Sequence, residues 1–144
     1  PLIRREMQDE FLRLQDMLGK TIIFVTHDFD EALRLADRIA IMKDGAIEQC
    51  DTPDKIVLNP ATEYVAKFTQ EIDTARVVRA KTLMKPGNKK SISGPALSEN
   101  ATIQELARTL INDTRKEFPI QNESGKITGT MNRQEALEVL LGDE

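Results

Sequence analysis

The segment TIIFVTHDFDEA, residues 21–32, decides the fold of the first half of the chain. Its first five residues are a β-branched and aromatic run without polar alternation, a pattern typical of a strand covered on both faces. The run ends at His27, the single histidine of the chain. Asp28 can then cap a helix, with Glu31 three residues further on. We therefore predict a buried strand over residues 21–25, a turn at His27 and a helix.

The elements around this segment follow from spacing and turn chemistry. Apolar residues at helical spacing predict an amphipathic helix that ends at Gly19. Lys43-Asp44-Gly45, between two short apolar runs, indicates a β-hairpin, because glycine accepts the positive φ of tight turns. Thr52-Pro53 can start a further helix, and residues 61–70 read as another.

A strand covered on both faces belongs inside a wider parallel sheet. The elements around residues 21–25 do not supply the neighbouring strands, and the chain begins with Pro rather than Met. We therefore expect residues 1–73 to be the C-terminal portion of a larger α/β domain. In open parallel sheets ligands bind beyond the carboxyl ends of the strands, where His27 would stand. From position alone, His27 is either a ligand-facing residue or a histidine satisfied by the backbone.

Charge divides the chain near residue 73. Residues 1–73 hold 9 Lys and Arg against 15 Asp and Glu, whereas residues 74–98 contain no acid and six Lys or Arg. We expect a linker at residues 74–79. The acid-free stretch can be a solvated linker, or a surface that binds anionic lipid and loses that attraction as salt rises.

Composition excludes several classes of protein. No run of 18 apolar residues marks a membrane span, and with Cys50 as the single cysteine no internal disulfide can form. The chain is acidic and lacks interleaved basic and aromatic residues, so nucleic-acid binding is not expected. No cluster with metal-ligand spacing stands out, and we predict no metal site.

The last third of the chain reads as helix, strand, strand, helix. Thr102 and Glu105 form a capping box before an apolar helical face that includes Ile111. Residues 118–121 and 127–131 are predicted strands. Asn132 with Glu135 repeats the capping pattern before a final helix, whose predicted buried residues are Ala136, Leu137, Leu140 and Leu141.

Three segments carry a family resemblance. MQDEFLRLQ (7–15), TIIFVTHDFDEALRLADRIAIMKDGAIEQ (21–49) and TPDKIVLNPATEYVAKF (52–68) resemble the C-terminal end of the ATP-binding subunit of ABC importers. The resemblance implies that His27 is the switch histidine, which contacts the γ-phosphate of ATP and the attacking water. It also implies that Pro1 and Leu2 are the tail of the D-loop at the interface between two ATPase subunits.

The rest of the family's nucleotide machinery is missing from this sequence. Gly19-Lys20-Thr21 is not a phosphate-binding loop, because that loop needs G-x-x-x-x-G-K-[ST] and leads from a strand into a helix. No LSGGQ signature and no apolar strand ending in Asp-Glu occur. ATP and Mg are thus cofactors of the parent protein. We assign no cofactor-binding residue here and predict that this chain alone neither binds ATP tightly nor hydrolyses it.

A second resemblance covers residues 80–144. LMKPGNKKSISGPALSENATIQELA (83–107) and GKITGTMNRQEAL (125–137) resemble a CBS (cystathionine-β-synthase) domain. Family members that bind adenosine nucleotides show G-x-x-[TS]-x-x-D, which aligns here with Gly129, Asn132 and Glu135. Both polar positions differ, so these three residues are a possible rather than a complete ligand site. Because CBS motifs pair, a second motif is implied.

Together the two resemblances imply an α/β protein: the C-terminal fragment of a P-loop ABC ATPase domain followed by a small α+β CBS domain. They imply the ATP-hydrolysing subunit of an importer for glycine betaine/proline-type osmoprotectants, cytoplasmic and peripheral on the inner face of the cytoplasmic membrane. Implied partners are a second ATPase subunit, the membrane permease and, indirectly, a periplasmic or lipid-anchored substrate-binding protein. Anionic lipid is a further possible partner if the acid-free stretch is a lipid-binding surface rather than a solvated linker. Two alternatives stay open: a non-enzymatic CBS ligand-binding module, and an ABC ATPase for another substrate.

Overall fold

The computed structural model describes residues 2–87 and 92–142, so the predicted D-loop residue Pro1 lies outside the described residues. The helices are α1 (Leu2–Leu18), α2 (Phe29–Leu35), α3 (Pro53–Leu58), α4 (Glu63–Thr69), α5 (Thr74–Val77), α6 (Ala80–Leu83), α7 (Ala107–Asn112) and α8 (Arg133–Leu141). The strands are β1 (Ile39–Lys43), β2 (Ala46–Asp51), β3 (Lys85–Pro86), β4 (Leu97–Ser98), β5 (Glu117–Gln121) and β6 (Ile127–Asn132). The predicted α/β class is confirmed.

Helix α1 ends where the sequence predicts. Gly19 adopts a φ of 58° and its N–H donates to the carbonyl of Gln15 at 2.9 Å. A left-handed residue of this kind closes a helix with little strain only when it is glycine. The predicted end of the first helix is confirmed.

Residues 21–25 do not form the buried strand that the sequence predicts. Ile23 and Val25 are 90% and 91% exposed, and Phe24 lies beside Phe11 with ring centroids 6.1 Å apart. A strand is held by hydrogen bonds to a neighbouring strand, and the described residues place none beside this segment. The prediction of a buried strand at residues 21–25 is therefore wrong for this chain. The apolar run remains, with Ile23 and Val25 largely in solvent.

The predicted hairpin is confirmed. Strands β1 and β2 pair antiparallel, and the turn residues Asp44 and Gly45 have φ values of 50° and 80°. Two successive positive φ values match the right-handed twist of the paired strands. One face of the hairpin packs on helices α2, α3 and α4. We call the apolar contact there the hairpin cluster: Ile39, Ile41, Ile56 and Val65, with Phe29, Ala32, Leu33, Ala36 and Tyr64 packed against them.

The C-terminal part builds a four-stranded mixed sheet in the order β3-β6-β5-β4. The central strands β5 and β6 pair antiparallel, and β4 pairs parallel to β5. Helices α5 to α8, the junction between α5 and α6 and the turn before α7 supply the rest of the core. We call this core the C-terminal cluster: Ala75, Val78, Ala80, Leu97, Ile103, Leu106, Leu110, Phe118, Ile120, Met131 and Ala136. Both predicted strands of this region are confirmed.

Residues 74–79, expected as a linker, are packed instead. Ala75 and Val78 are 2% and 0% exposed within the C-terminal cluster, and their carbonyls accept hydrogen bonds from Gln104 and Ile103 at 2.9 Å. The basic residues that suggested a linker are exposed, whereas the small apolar residues between them face inward. The segment therefore forms part of the C-terminal core.

Two residues expected in the core are exposed. Ile111 and Leu141 are 61% and 78% exposed, each at the end of a short helix. The capping box is confirmed, since the N–H of Thr102 donates to Glu105 Oε2 at 2.8 Å and the N–H of Glu105 to Thr102 Oγ1 at 3.2 Å. Helix α7 begins only at Ala107, after a turn. The predicted face is therefore buried at its start and open at Ile111.

Candidate functional site

His27 lies in an exposed turn between the apolar segment 21–25 and helix α2. The turn forms because Asp28 stays extended, with φ and ψ of −98° and 108°, and accepts a hydrogen bond from the N–H of Glu31 at 3.1 Å. The predicted cap is thereby confirmed. His27 directly precedes this cap, so the backbone that carries the imidazole is held by the start of the helix.

Thr26 holds the other side of the turn. Its hydroxyl accepts from the N–H of Asp28 at 3.0 Å and donates to Oε2 of Glu31 at 2.8 Å. His27 is thus bracketed by two residues that both bond to the first turn of α2. This arrangement limits the conformations of the backbone that carries the ring.

Helix α1 reinforces the same turn. Arg4 Nη2 lies 3.0 Å from Asp28 Oδ2 and 3.3 Å from Glu31 Oε1, and Gln8 Nε2 donates to Glu31 Oε1 at 3.1 Å. The hydroxyl of Thr26, then Gln8 and Arg4, hold the pKa of the Glu31 carboxyl below its usual range. The carboxylate is therefore ionised at neutral pH, and both of its oxygens accept hydrogen bonds. Sequence patterns gave no signal for Arg4 or Gln8, because their partners lie more than 20 residues away.

The chemistry of the turn rests on the exposed ring. An imidazole at neutral pH can donate one hydrogen bond and accept another, so it can contact a phosphate oxygen or a water molecule. The carboxylates of Asp28 and Glu31 are engaged with the backbone, Arg4, Thr26 and Gln8. They position the turn, and His27 is the residue left to meet a ligand.

The predicted D-loop tail is represented by Leu2, the first residue of α1, which is 76% exposed. Its side chain is open to contact with another molecule. Leu2 and His27 belong to elements joined by the Arg4 ion pair. The structure therefore brings the start of α1 and the His27 turn onto one unit.

The possible CBS ligand residues have structural roles here. A Cβ on Gly129 would lie 2.6 Å from the carbonyl oxygen of Lys85, so the close approach of β3 to β6 requires glycine. Asn132 Oδ1 accepts from the N–H groups of Gln134 and Glu135 at 2.8 and 3.2 Å. The carboxylate of Glu135 lies 3.4 Å from Lys85 Nζ rather than reaching back to the backbone of Asn132.

The sequence predicted a capping box at Asn132 and Glu135, and a possible ligand site formed by these two residues with Gly129. The cap at Asn132 is confirmed, whereas the reciprocal half of the capping box is wrong. The N–H groups at the start of α8 have acceptors within the chain, since Arg133 donates to the carbonyl of Lys116. The three residues lie close together, yet their polar groups are engaged with each other and with neighbouring strands.

A wide cleft of about 1820 Å³ separates α1 and α2 from α3, α5 and α6. Its lining carries eight basic and eight acidic side chains, so its charge does not select an anion or a cation. Among residues 2–87 and 92–142, no group of three His, Cys, Asp or Glu side chains is placed to hold a metal ion. Within the same residues, every helix is too short or too polar to cross a bilayer.

Comparison with known proteins identifies the class of protein to which the chain is related. Models of known protein families gave no match. Curated proteins that match over most of this chain are ATP-binding subunits of transport systems, so the resemblance to these ABC transporter subunits is confirmed.

One such relative is the trimethylamine N-oxide transport system ATP-binding protein of Ruegeria pomeroyi. It is 64% identical over 141 residues, covering 98% of this chain and 41% of the relative. The glycine betaine transport ATP-binding protein of Bacillus subtilis is 58% identical over 85 residues, covering 59% of this chain and 20% of the relative. The chain thus spans about two fifths of the length of the first relative.

Solved structures give a weaker likeness. The cystathionine β-synthase pair domain of a Mg²⁺ transporter described as putative, from Shewanella oneidensis, aligns with a TM-score of 0.31 and 12% identity. The alignment covers 90% of this chain and 58% of that one. A score of this size does not define the fold of the chain.

Proposed function

We propose that this chain is part of the ATP-hydrolysing subunit of an ABC importer for small methylated amines. The observation that carries the proposal is the 64% identity over 98% of the chain to the ATP-binding protein of a trimethylamine N-oxide transport system. Trimethylamine N-oxide is accordingly the first substrate to test. Glycine betaine and proline-type osmoprotectants come second, because the glycine betaine relative matches only 59% of the chain.

His27 is the proposed catalytic residue of this subunit. It is exposed on a turn whose backbone is held by the capped start of α2, and its imidazole suits contact with the γ-phosphate of ATP and with the attacking water. ATP and Mg would be bound mainly by residues of the parent protein. The phosphate-binding loop, the signature motif and the acidic strand end do not occur in these 144 residues.

The exposed run at residues 21–25 supports the same proposal. Its five residues are β-branched or aromatic, and Ile23 and Val25 are about nine-tenths exposed. Leaving such a run in water is unfavourable by roughly 25 cal/mol per Å² of apolar surface. We propose that the run pairs with strands of the parent nucleotide-binding domain, which would bring His27 to the carboxyl edge of that sheet.

Residues 80–144 form the proposed CBS-type regulatory module. Its polar candidates Asn132 and Glu135 are engaged within the chain, so we propose that it acts through protein contacts rather than through a bound nucleotide. A second CBS motif, from another subunit or from the parent protein, would pair with it. The basic residues of the stretch 74–98 are the proposed contact with anionic lipid.

The proposed location and partners follow from this activity. The subunit would be cytoplasmic, on the inner face of the membrane, and would dimerise through a D-loop that includes Pro1 and Leu2. It would bind the permease directly and act with a substrate-binding protein indirectly. Nucleic acid is not a proposed partner.

The experiment is ATP hydrolysis by the full-length subunit with its permease in proteoliposomes. Trimethylamine N-oxide, delivered with the substrate-binding protein, should stimulate hydrolysis more than glycine betaine at equal concentration. Stimulation by glycine betaine alone would reassign the substrate. If neither amine changed the rate while ATP was hydrolysed, the methylated-amine importer would be the wrong assignment.

A further inference from the structure

Helix α3 is shared between the two apolar clusters. Ile56 is fully buried in the hairpin cluster, and Leu58, two residues later, packs against the C-terminal cluster. Two successive steps along a helix rotate the side-chain direction by about 200° around the axis, so residues two apart point to nearly opposite sides. The six-residue helix therefore presents one apolar side chain to each cluster.

The hairpin side of α3 is tied by more than Ile56. The side chain of Gln49 on β2 donates to the carbonyl of Asn59 at 3.1 Å and accepts from the N–H of Ala61 at 2.8 Å. These two bonds fix the end of α3 against the hairpin. The end of α3 is therefore linked directly to β2.

The C-terminal side is tied by a hydrogen bond from the hydroxyl of Thr82 on α6 to Oδ2 of Asp54 on α3. Burial raises the pKa of Asp54, but the hydroxyls of Thr52 and Thr82 together with backbone N–H groups outweigh this and hold the pKa below its usual range. The carboxylate is thus available as an acceptor at neutral pH. Helix α3 also contacts α5 directly.

We propose that α3 couples the hairpin cluster to the C-terminal cluster, so that a change in the stability of one is transmitted to the other. The carriers are the Asp54–Thr82 hydrogen bond and Leu58 on one side, and Ile56 on the other. Phe29 and Leu33 of α2 pack on the hairpin cluster, directly after the capped turn of His27. The extension of this coupling to the His27 turn rests on the proposed function, whereas the coupling itself does not.

The test uses the 144-residue chain and its single tyrosine, Tyr64, which packs against the hairpin cluster. Ile120→Val weakens the C-terminal cluster, where Ile120 is fully buried. It should lower the urea midpoint of the Tyr64 fluorescence transition. With Thr82→Val and Leu58→Ala added, the shift caused by Ile120→Val should disappear from the Tyr64 signal, while amide exchange at Met131 still accelerates.

Controls separate coupling from general destabilisation. Thr114→Val, at an exposed threonine, should leave the response of Tyr64 to Ile120→Val unchanged. If the combined variant does not fold, Thr82→Val alone should reduce that response. The proposal would be overturned if Ile120→Val alone left the Tyr64 urea midpoint unchanged. It would also be overturned if Ile120→Val shifted that midpoint equally with and without Thr82→Val and Leu58→Ala. Neither result depends on ATP hydrolysis, so failure of the proposed function would be seen separately.

Discussion

The hydroxyl of Thr26 lies 2.8 Å from Oε2 of Glu31, across the turn that carries His27. The same hydroxyl accepts the N–H of Asp28, so one side chain joins the segment before the turn to the helix after it. This contact therefore restrains the backbone that carries the exposed His27.

Loss of the cap at Asp28 should destabilise the chain. Asp28→Ala removes the acceptor for the Glu31 N–H and the ion pair with Arg4, at an expected cost of about 1–2 kcal/mol. Asp30→Ala is the matched control, because Asp30 lies in the same turn without capping it. Urea unfolding followed by circular dichroism measures both. Equal losses for the two variants would show that the cap does not stabilise the turn.

The lowered pKa of Glu31 should make the stability of the fold depend on pH. Because this pKa is lower in the folded chain than the ordinary value of 4.5, ionised Glu31 stabilises the fold above that value. The contribution is lost as the pH falls through the lowered pKa. The difference in unfolding free energy between wild type and Glu31→Gln should therefore shrink towards low pH.

Thr26→Val provides an independent check by carboxyl NMR titration. Since the Thr26 hydroxyl is the largest cause of the lowered pKa, its removal should move the Glu31 pKa upward. An unchanged titration of Glu31 in this variant would contradict the role given to Thr26. If the difference in unfolding free energy between wild type and Glu31→Gln did not vary with pH, the lowered pKa of Glu31 would be contradicted.

Gly129→Ala should open the contact between β3 and β6. The added Cβ would lie 2.6 Å from the carbonyl oxygen of Lys85 and 3.0 Å from Met84 Sδ, an overpacking that typically costs about 1–3 kcal/mol. Exchange of the Gly87 amide, which donates to Thr128, should accelerate. Gly125→Ala, where the new Cβ meets open space and the cost is confined to the φ of 78° in the turn, should leave that amide protected. Equal exchange in both variants would refute the role of Gly129.

The isolated chain should not hydrolyse ATP. The proposed site supplies His27 but no phosphate-binding loop, so nucleotide binding by residues 1–144 should be weak. Phosphate release by the purified chain, with Mg-ATP in excess, measures this. Turnover that was abolished by His27→Ala would contradict the prediction, because it would mean that the chain carries a complete site.

Local features of the fold could be predicted from the sequence. The end of α1 at Gly19, the Asp28 cap and the Asp44-Gly45 turn each depend on side chains and backbone within about four residues of one another. Because the residues in such contacts are close in the sequence, their spacing can be recognised directly. The same reasoning located His27 at the end of an apolar run, although its surroundings had to come from the structure.

Contacts between distant residues could not be predicted. Arg4 meets Asp28 across 24 positions, and Thr82 meets Asp54 across 28, with no periodicity to connect them. The apolar run at residues 21–25 was predicted as a strand from its composition alone. Composition indicates that a segment suits a sheet, but the neighbouring strands decide whether it joins one.

The most direct test of the account is ATP hydrolysis by the full-length subunit carrying His27→Ala. Because the ring is proposed to contact the γ-phosphate and attacking water, hydrolysis should fall by about 10²–10³-fold, the usual cost of removing one hydrogen-bond donor that stabilises charge in the transition state. Nucleotide binding, measured with a fluorescent ATP analogue, should change little, and Asp30→Asn should retain the wild-type rate. Hydrolysis at the wild-type rate by His27→Ala, with ATP bound normally, would contradict the central claim.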